Sequence, residues 1–223
     1  MVRVVEPEIL DQLPPVHESA AHSRRDLARL NGLMRHSSLI RQHLTVDVTR
    51  IVDLGAGDGT LILRALKSAV SHVREVVLVD QQRIVSDDTL NAFEILGIKP
   101  SVAIADVFVW LNGQSVAPHT AIVANLFLHH FQGNNLQRLL ELASQASDLF
   151  IACEPRRGLW PRLAASLVGL IGCNHVTRHD AVVSVRAGFR GCELTRLWPD
   201  RSTWKIEERS AGLFSHLFVA RRR

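Results

Sequence analysis

A glycine-rich stretch after an apolar run carries the clearest chemical signal in this sequence. It reads VDLGAGDGT from Val52 to Thr60, with glycines at three alternate positions and two acids, Asp53 and Asp58, around them. Because glycine has no Cβ, such a backbone turns tightly and approaches a ligand closely. A dinucleotide loop of the form G-x-G-x-x-G would need a small residue at Thr60, and acids disfavour a pyrophosphate at a helix N-terminus. The loop therefore favours a nucleotide-like ligand that carries a cationic ammonium group.

Further polar residues stand where other apolar runs end. Asp80 closes VVLVD, Asp106 follows VAIA, and His129-His130 follow AIVANLFL. In a doubly wound sheet, ligands bind at the carboxyl ends of the strands, so we expect these side chains to gather near the glycine loop. The alternative for Asp80 and Asp106 is that they only cap strand ends and face water.

These polar positions need a framework of strands and helices, and the sequence predicts one. Unbroken apolar β-rich runs alternate with segments of helical periodicity, which indicates a parallel sheet covered on both faces. Two strand-like runs around Ala211-Gly212 predict a closing hairpin. The predicted fold is an α/β, doubly wound, mostly parallel seven-stranded sheet with a C-terminal antiparallel hairpin and an N-terminal helical cap. The predicted strands are Arg50–Leu54, Glu75–Asp80, Ser101–Ala105, Thr120–Asn125, Leu149–Cys153, Trp204–Ser210 and Leu213–Ala220, and the predicted helices between them include Thr60–Val70, Ser86–Gly97, Val107–Leu111 and Asn134–Ser147.

Taken together, the glycine loop, the two strand-end acids, AIVANLFLHHF and the closing hairpin resemble the class I S-adenosylmethionine-dependent methyltransferases. The resemblance covers about residues 48 to 220 and keeps the order of that family's motifs. It implies S-adenosylmethionine as the cofactor, with the glycine loop around its methionine part. It also implies that Asp80 accepts from the ribose hydroxyls and Asp106 from the adenine amine. The cofactor-binding residues that it implies are Asp53, Gly55, Ala56, Gly57, Asp80, Gln81, Asp106, Val107, Asn125 and Leu126.

The same resemblance bears on the acceptor of the methyl group. Oxygen nucleophiles need a proton removed, so His130, or else His129, is the predicted general base; the alternative is that both only shape the cofactor pocket. No metal is predicted. Family members that methylate nucleobase amines carry a proline-rich sequence where this chain has Asn125-Leu126-Phe127-Leu128, which disfavours that substrate class. RRDLARLN, ACEPRR and HDAVVSVRAGF are similar to bacterial small-molecule methyltransferases of polyketide-type pathways, and this similarity implies a phenolic or quinol oxygen as acceptor, with a ring carbon as the nearest variant.

Contacts with the methyl acceptor are expected from two parts of the chain outside the predicted sheet and its connecting helices. Residues 1–47 are predicted to form a helical cap or lid, with loop up to about residue 17 and a helix break at Asn31-Gly32. The resemblance implies a methyltransferase domain over residues 48–223, with a substrate insert at about 155–190. In that insert Asp180 is predicted to cap a helix that starts at His179-Asp180; the alternative is that Asp180 is a catalytic acid. Apolar insert residues could line an acceptor pocket or simply face the core; they are Trp160, Leu163, Leu167, Leu170 and Ile171.

Composition narrows the function classes. The net charge of +4 is spread over segment ends, without the basic and aromatic stripe of a nucleic-acid groove, so no nucleic-acid partner is predicted. Three scattered cysteines predict no disulfide frame, and no signal peptide or membrane span is predicted, so a cytoplasmic location is expected. A nicotinamide-dependent oxidoreductase and a non-catalytic binding subunit are the alternatives. The chain contains no tyrosine, so the Tyr-x-x-x-Lys pair of many nicotinamide-dependent oxidoreductases is impossible here. The oligomeric state is left open.

Overall fold

The structure is a computed structural model that describes residues 2–14, 17–45, 47–67, 72–114, 118–159, 161, 165 and 172–223. Seven strands form one sheet. Numbered along the chain, they are β1 (Arg50–Leu54), β2 (Glu75–Asp80), β3 (Lys99–Ile104), β4 (Thr120–Asn125), β5 (Leu149–Pro155), β6 (Trp204–Ala211) and β7 (Ser215–Arg222).

Helices cover both faces of this sheet. Two short 3₁₀ turns, Leu128–His130 and Arg201–Thr203, follow β4 and precede β6. The described α-helices are α1 (Ile9–Gln12), α2 (Glu18–Met34), α3 (His36–His43), α4 (Thr60–Lys67), α5 (Asp87–Ile95), α6 (Val107–Asn112), α7 (Gly133–Ala146), α8 (His175–Ala187) and α9 (Glu193–Leu197).

The strand order is β3-β2-β1-β4-β5-β7-β6. The first five strands pair in parallel, and β7 pairs antiparallel with both β5 and β6. The chain leaves β1 toward one edge and returns through β4 toward the other, so the carboxyl ends of β1 and β4 form the switch point at which such sheets bind ligands. The predicted fold, including the closing hairpin, is confirmed.

Alternate residues of each central strand enter two separate cores. On β1, Val52 and Leu54 pack on the face covered by α7, whereas Ile51 packs on the face covered by α4. This is why the strands read as unbroken apolar runs in the sequence. The third strand begins two residues earlier than predicted because it lies at the sheet edge, where Pro100 is tolerated.

The N-terminal helices differ from the prediction in one boundary. The break falls at Arg35, which adopts a left-handed conformation with φ of 57°, and not at Asn31-Gly32. Gly32 lies on the exposed side of α2, where a helix tolerates glycine at modest cost. The next helix, α3, is then anchored to the sheet, because Ile40 is buried in the core and His36 Nε2 lies 2.7 Å from Ser215 Oγ.

Asp180 does not begin a helix, and the predicted cap is wrong. The helix starts at His175, and Asn174 caps it by accepting the Thr177 N–H at 2.9 Å. Asp180 instead lies within α8, where its carboxylate accepts the N–H groups of Ile9 and Leu10 at 2.9 and 3.0 Å. It therefore caps α1, a helix from the other end of the chain, which the sequence pattern could not indicate.

The substrate insert at about residues 155–190 stays a prediction. The residues Trp160, Leu163, Leu167, Leu170 and Ile171, on which that prediction rested, lie outside the described residues. The division of the chain at residue 47 stays a prediction. Within the described ranges, no helix combines the length and the apolar character that crossing a bilayer requires.

Candidate active site

A cavity of about 450 Å³ opens at the switch point, above the carboxyl ends of β1, β2 and β4. The glycine loop, α2 and the segment around α1 all contribute to its lining. Of the ten residues predicted to bind the cofactor, all except Asp106 border this cavity: Asp53, Gly55, Ala56, Gly57, Asp80, Gln81, Val107, Asn125 and Leu126.

The glycine loop is folded tightly by its neighbours. Gly55 has a φ of 68°, and a Cβ on it would lie 2.2 Å from Cδ2 of Phe127. The Asp80 carboxylate accepts the Gly57 N–H at 2.9 Å and the Gln82 N–H at 2.8 Å. Each carboxylate oxygen of Asp80 thus holds one backbone group and keeps a lone pair for a ligand hydroxyl.

Asp53 gives the cavity an electrostatic preference. Its side chain is buried, and burial together with the charges of Asp80 and Asp58 raises the pKa of its carboxyl well above the ordinary value. A cation placed in the cavity would favour the ionised form of Asp53. The structure therefore agrees with the preference for a cationic ligand that the two acids of the loop suggested.

Asp106 is the N-cap residue of α6, near the cavity. One of its carboxylate oxygens accepts the N–H groups of Phe108 and Val109 at 2.8 and 3.2 Å, which caps α6, and the other accepts from Gln81 Nε2 at 3.3 Å. This acid directly precedes a helix, so capping competes with ligand contact. Its neighbour Val107, and not Asp106 itself, borders the cavity.

His129 is enclosed between two carboxylates. Its Nδ1 lies 2.8 Å from Glu154 Oε2 and its Nε2 lies 3.1 Å from Glu8 Oε1. Burial alone would lower its pKa, but the hydrogen bonds and charges of Glu154 and Glu8 outweigh it and raise the pKa to about 10. With both nitrogens engaged and the ring protonated, His129 has no lone pair with which to act as a base, so the geometry disfavours that role.

Glu154 fixes the turn that carries both histidines. This residue, fully buried in β5, accepts the backbone N–H groups of Phe127 at 3.0 Å, Leu128 at 2.8 Å and His129 at 3.3 Å, besides the His129 ring. Sequence reasoning did not identify Glu154 as a site residue. The available signal was a glutamate within the apolar run LFIACEP, because buried acids require partners.

Glu8 also went unrecognised, because residues up to about 17 were predicted to be loop. The segment is instead fastened across α8 and the 3₁₀ turn: Arg3 donates to the carbonyls of Ala187, His129 and Phe131 at 2.7, 3.1 and 2.8 Å. Glu8 then reaches His129 and also accepts the hydroxyl hydrogen of Ser184. The hydrogen bond and positive charge of His129 overcome burial and hold the pKa of Glu8 at about 2.

His130 faces the cavity, as the sequence predicted for the preferred base. Burial, followed by the charge of His129, lowers its pKa to about 4, so the ring is neutral near pH 7. The two imidazole centroids are 4.2 Å apart, and His130 Nδ1 lies 3.4 Å from Asp11 Oδ2. A neutral ring beside the cavity is able to accept a proton.

One group in the described part of the chain brings together residue types that bind metal ions. Ligand-type atoms of Glu8, His129 and His130 lie within 4.8 Å of one another. Since Glu154 and Glu8 already engage both nitrogens of His129, we assign no metal to this group.

A second cavity, of about 430 Å³, adjoins the first. Its described walls are mainly apolar and come from α2, α8 and the end of β5. Four residues border both cavities, and one of them, Leu126, has a φ of 50°, a strained conformation for a branched side chain. The shared residues are Glu8, Leu10, Leu27 and Leu126.

No protein-family model matches the sequence, and no curated protein matches it either. Solved structures do match. The chain is similar to the plantazolicin methyltransferase BamL in complex with a triazolic desmethylPZN analogue and SAH, with a TM-score of 0.64 and 11% identity over 94% of this chain and 93% of that one. It is also similar to an O-methyltransferase family protein from Burkholderia thailandensis, with a TM-score of 0.59 and 16% identity over 94% of this chain.

A third similar structure is the N,N-8-amino-8-demethyl-D-riboflavin dimethyltransferase RosA from Streptomyces davawensis, with a TM-score of 0.62 and 16% identity over 97% of this chain. The chain spans 64% of the Burkholderia protein and 62% of the Streptomyces protein. These likenesses show that the chain has the fold of the class I S-adenosylmethionine-dependent methyltransferases.

Proposed function

We propose that this protein is an S-adenosylmethionine-dependent methyltransferase that acts on a small, mainly apolar acceptor, with a phenolic or quinol oxygen as the favoured nucleophile and a ring carbon as its variant. The observation that carries the proposal is the pair of adjoining cavities. One is acidic and lies at the switch point of a methyltransferase fold, and the other is apolar. Two cavities that share a boundary suit a reaction between a cofactor and an acceptor.

The residues of the first cavity fit S-adenosylmethionine. When bound, this cofactor supplies a methyl group activated by a positively charged sulfur. Asp53 would balance the positive charge, the backbone of Gly55 and Gly57 would admit the methionine part, and Asp80 would accept from the ribose hydroxyls. Gln81 directly follows β2, and Val107 begins α6 after β3. Both would border the adenine. Of the solved relatives, BamL was determined with SAH, the demethylated cofactor.

His130 would act as the general base that removes the proton of the acceptor's nucleophilic oxygen. As the acceptor oxygen gained the methyl group that the cofactor would supply, it would become acidic and would have to lose its proton. A neutral imidazole with a low pKa is a sufficient base for so acidic a group. His129 would contribute only by its charge and by holding the turn.

A calorimetric titration tests which cofactor the protein binds. We expect S-adenosylhomocysteine to bind the purified protein with micromolar affinity and NAD, titrated in parallel, not to bind. Binding of NAD alone would support the oxidoreductase alternative and refute the proposal. If S-adenosylhomocysteine binds but no phenol or quinol in a broad panel is methylated, the non-catalytic alternative gains instead.

The substitution His130→Ala tests whether His130 is the general base. If His130 is the base, we expect turnover to fall by about two to four orders of magnitude while cofactor affinity changes little. The measurement is single-turnover methyl transfer with any acceptor found in the panel. A loss of less than tenfold would return His130 to a role in shaping the pocket.

A further inference from the structure

The apolar cavity offers hydrogen-bond acceptors but no free side-chain donor among its described residues. Each hydroxyl hydrogen is already committed: Ser23 donates to Asn174 Oδ1 at 2.9 Å and Thr177 donates to Asp26 Oδ2 at 3.2 Å. Ser184 donates to Glu8 and to the Asp180 carbonyl. A ligand that carries only acceptors, such as an ether or a carboxylate, would therefore find no free side-chain donor among these described residues.

Glu8 is the strongest acceptor on these walls. Its Oε1 faces His129 and Ser184, whereas its Oε2 has no hydrogen-bond partner within the part of the chain that the structure describes. Asp180 differs, since both of its oxygens receive backbone N–H groups from α1. Glu8 is ionised because His129 supplies the opposite charge, and an ionised carboxylate only accepts.

The position of Glu8 relates this acceptor to the reaction. Glu8 borders both the apolar cavity and the cofactor cavity, as do Leu10, Leu27 and Leu126. A donor group that reaches Glu8 from the apolar side therefore lies where the two cavities meet, while the rest of the molecule stays among apolar side chains such as Leu30 and Val185.

From this arrangement we propose that the second cavity binds an apolar acceptor with one O–H or N–H group, and that Glu8 accepts a hydrogen bond from this group and so orients the nucleophile toward the cofactor. Ligand-type atoms of Glu8 and His130 lie within 4.8 Å of each other, so the proton that Glu8 holds in place before the reaction is within reach of His130, which removes it. Glu8 is a specificity-determining residue, which distinguishes acceptors from their methylated products. Methylation replaces the donor hydrogen by a methyl group, so the product loses the hydrogen bond that held the acceptor. The inference rests on the proposed function, because it names the substrate class of the same site.

Binding of a matched ligand pair tests the inference. With the protein saturated with S-adenosylhomocysteine, we expect naphthol to bind about 10- to 100-fold more tightly than methoxynaphthalene of the same substitution, the scale of a hydrogen bond to a charged group. The two probes differ only in the donor hydrogen and the added methyl group. The readout is calorimetry or quenching of the probe's fluorescence.

Variants separate Glu8 from the size of the added methyl group. In Glu8→Gln we expect the preference for naphthol to shrink to less than about threefold, since a neutral amide bonds more weakly. Glu6→Gln is the matched control, because it makes the same chemical change in the same segment at an exposed residue that borders neither cavity; its preference should equal that of the wild type. A retained preference in Glu8→Gln, or an equal loss in both variants, would overturn the inference.

The cofactor titration keeps the two proposals distinguishable. Wild-type protein that binds S-adenosylhomocysteine but does not prefer naphthol contradicts the acceptor inference and leaves the proposed function standing. Protein that binds no S-adenosylhomocysteine contradicts the proposed function. Glu8→Gln must also bind S-adenosylhomocysteine, which shows that the variant is folded.

Discussion

At the scale of single residues, the adjacent histidines have opposite properties because of their neighbours. His129 is buried between Glu154 and Glu8, and it keeps its proton. His130 lies beside that fixed charge, faces the cavity and loses its proton. The two histidines of LHHF are therefore a structural cation and a neutral ring, a difference that the sequence alone does not indicate.

The enclosed His129 predicts a decline of stability in alkali. Its pKa is raised from 6.5 to about 10 in the folded state, so its contribution is complete below about pH 6.5 and is lost as the pH rises toward 10. We expect the free energy of unfolding to fall by on the order of 2–5 kcal/mol across that range. Urea unfolding at several pH values measures it.

His129→Gln is the control for this decline, since the side chain remains polar but cannot be charged. The variant should be less stable near pH 7 and show a flatter pH dependence. Equal slopes in the two proteins would contradict the account of His129 as a buried cation.

Asp53 predicts a proton released on cofactor binding. Burial and the charges of Asp80 and Asp58 raise its pKa in the free protein, and a ligand ammonium group should lower that pKa again. The affinity for S-adenosylhomocysteine should therefore rise with pH while Asp53 titrates. Calorimetry in buffers of different ionisation enthalpy counts the proton. Asp53→Asn should abolish the release, and Asp106→Asn, outside the cavity lining, should retain it; release that persists in Asp53→Asn rules this linkage out.

Individual residues also show what the sequence could and could not predict. The glycine loop and Asp80 were recognisable because their spacing reflects backbone geometry. Glu8 and Ser184 were not, because their partnership depends on how residues 176 positions apart meet in space. Asp106 matched a motif, yet its carboxylate is committed to capping α6.

At the scale of elements, the segment 2–14 is the least expected part of the structure. The prolines suggested loop, but Arg3, Glu8 and the capped α1 tie it to α8 and to the 3₁₀ turn. Propensity gave no indication of this placement, because a four-residue helix is stabilised by its tertiary contacts. The strands and the longer helices were predictable from periodicity, since both faces of the sheet are buried.

Asp180→Ala should loosen this segment without unfolding the sheet. The substitution removes the acceptor for the Ile9 and Leu10 N–H groups, at a cost of about 1 kcal/mol for a lost cap. We expect faster hydrogen exchange at the amides of residues 8–11 and little change in β1 or β4. Asp200→Ala, which alters only a surface turn, is the control. Unchanged exchange in residues 8–11 would show that the cap is dispensable.

At the scale of the whole molecule, the two cavities meet at one boundary but have separate outer walls. Ala181 borders only the apolar cavity. Ala181→Phe should therefore fill that space and weaken naphthol binding at least about tenfold. The affinity for S-adenosylhomocysteine should stay within about twofold of the wild-type value, because the cofactor cavity keeps its walls. Parallel titrations measure both, and an equal loss of both affinities would mean that the cavities are one site.

The overall architecture was the most predictable level, because strand order and the closing hairpin follow from motif order. The second cavity was not predictable, since its walls combine the beginning of the chain, the end of β5 and α8. No local pattern in the sequence indicates which of these apolar side chains face a space and which fill the core.

The contact between Glu8 and Ser184 has a consequence for how the protein is made. During synthesis Glu8 leaves the ribosome before both of its partners, His129 in the turn after β4 and Ser184 much later in α8. The first strands and helices can collapse in order as they emerge, but the initial segment has to wait, unpaired, for a partner near the far end of the chain. Closing so long a loop is slow. The boundary that the two cavities share is therefore completed only after α8 has formed, because Glu8 belongs to the walls of both.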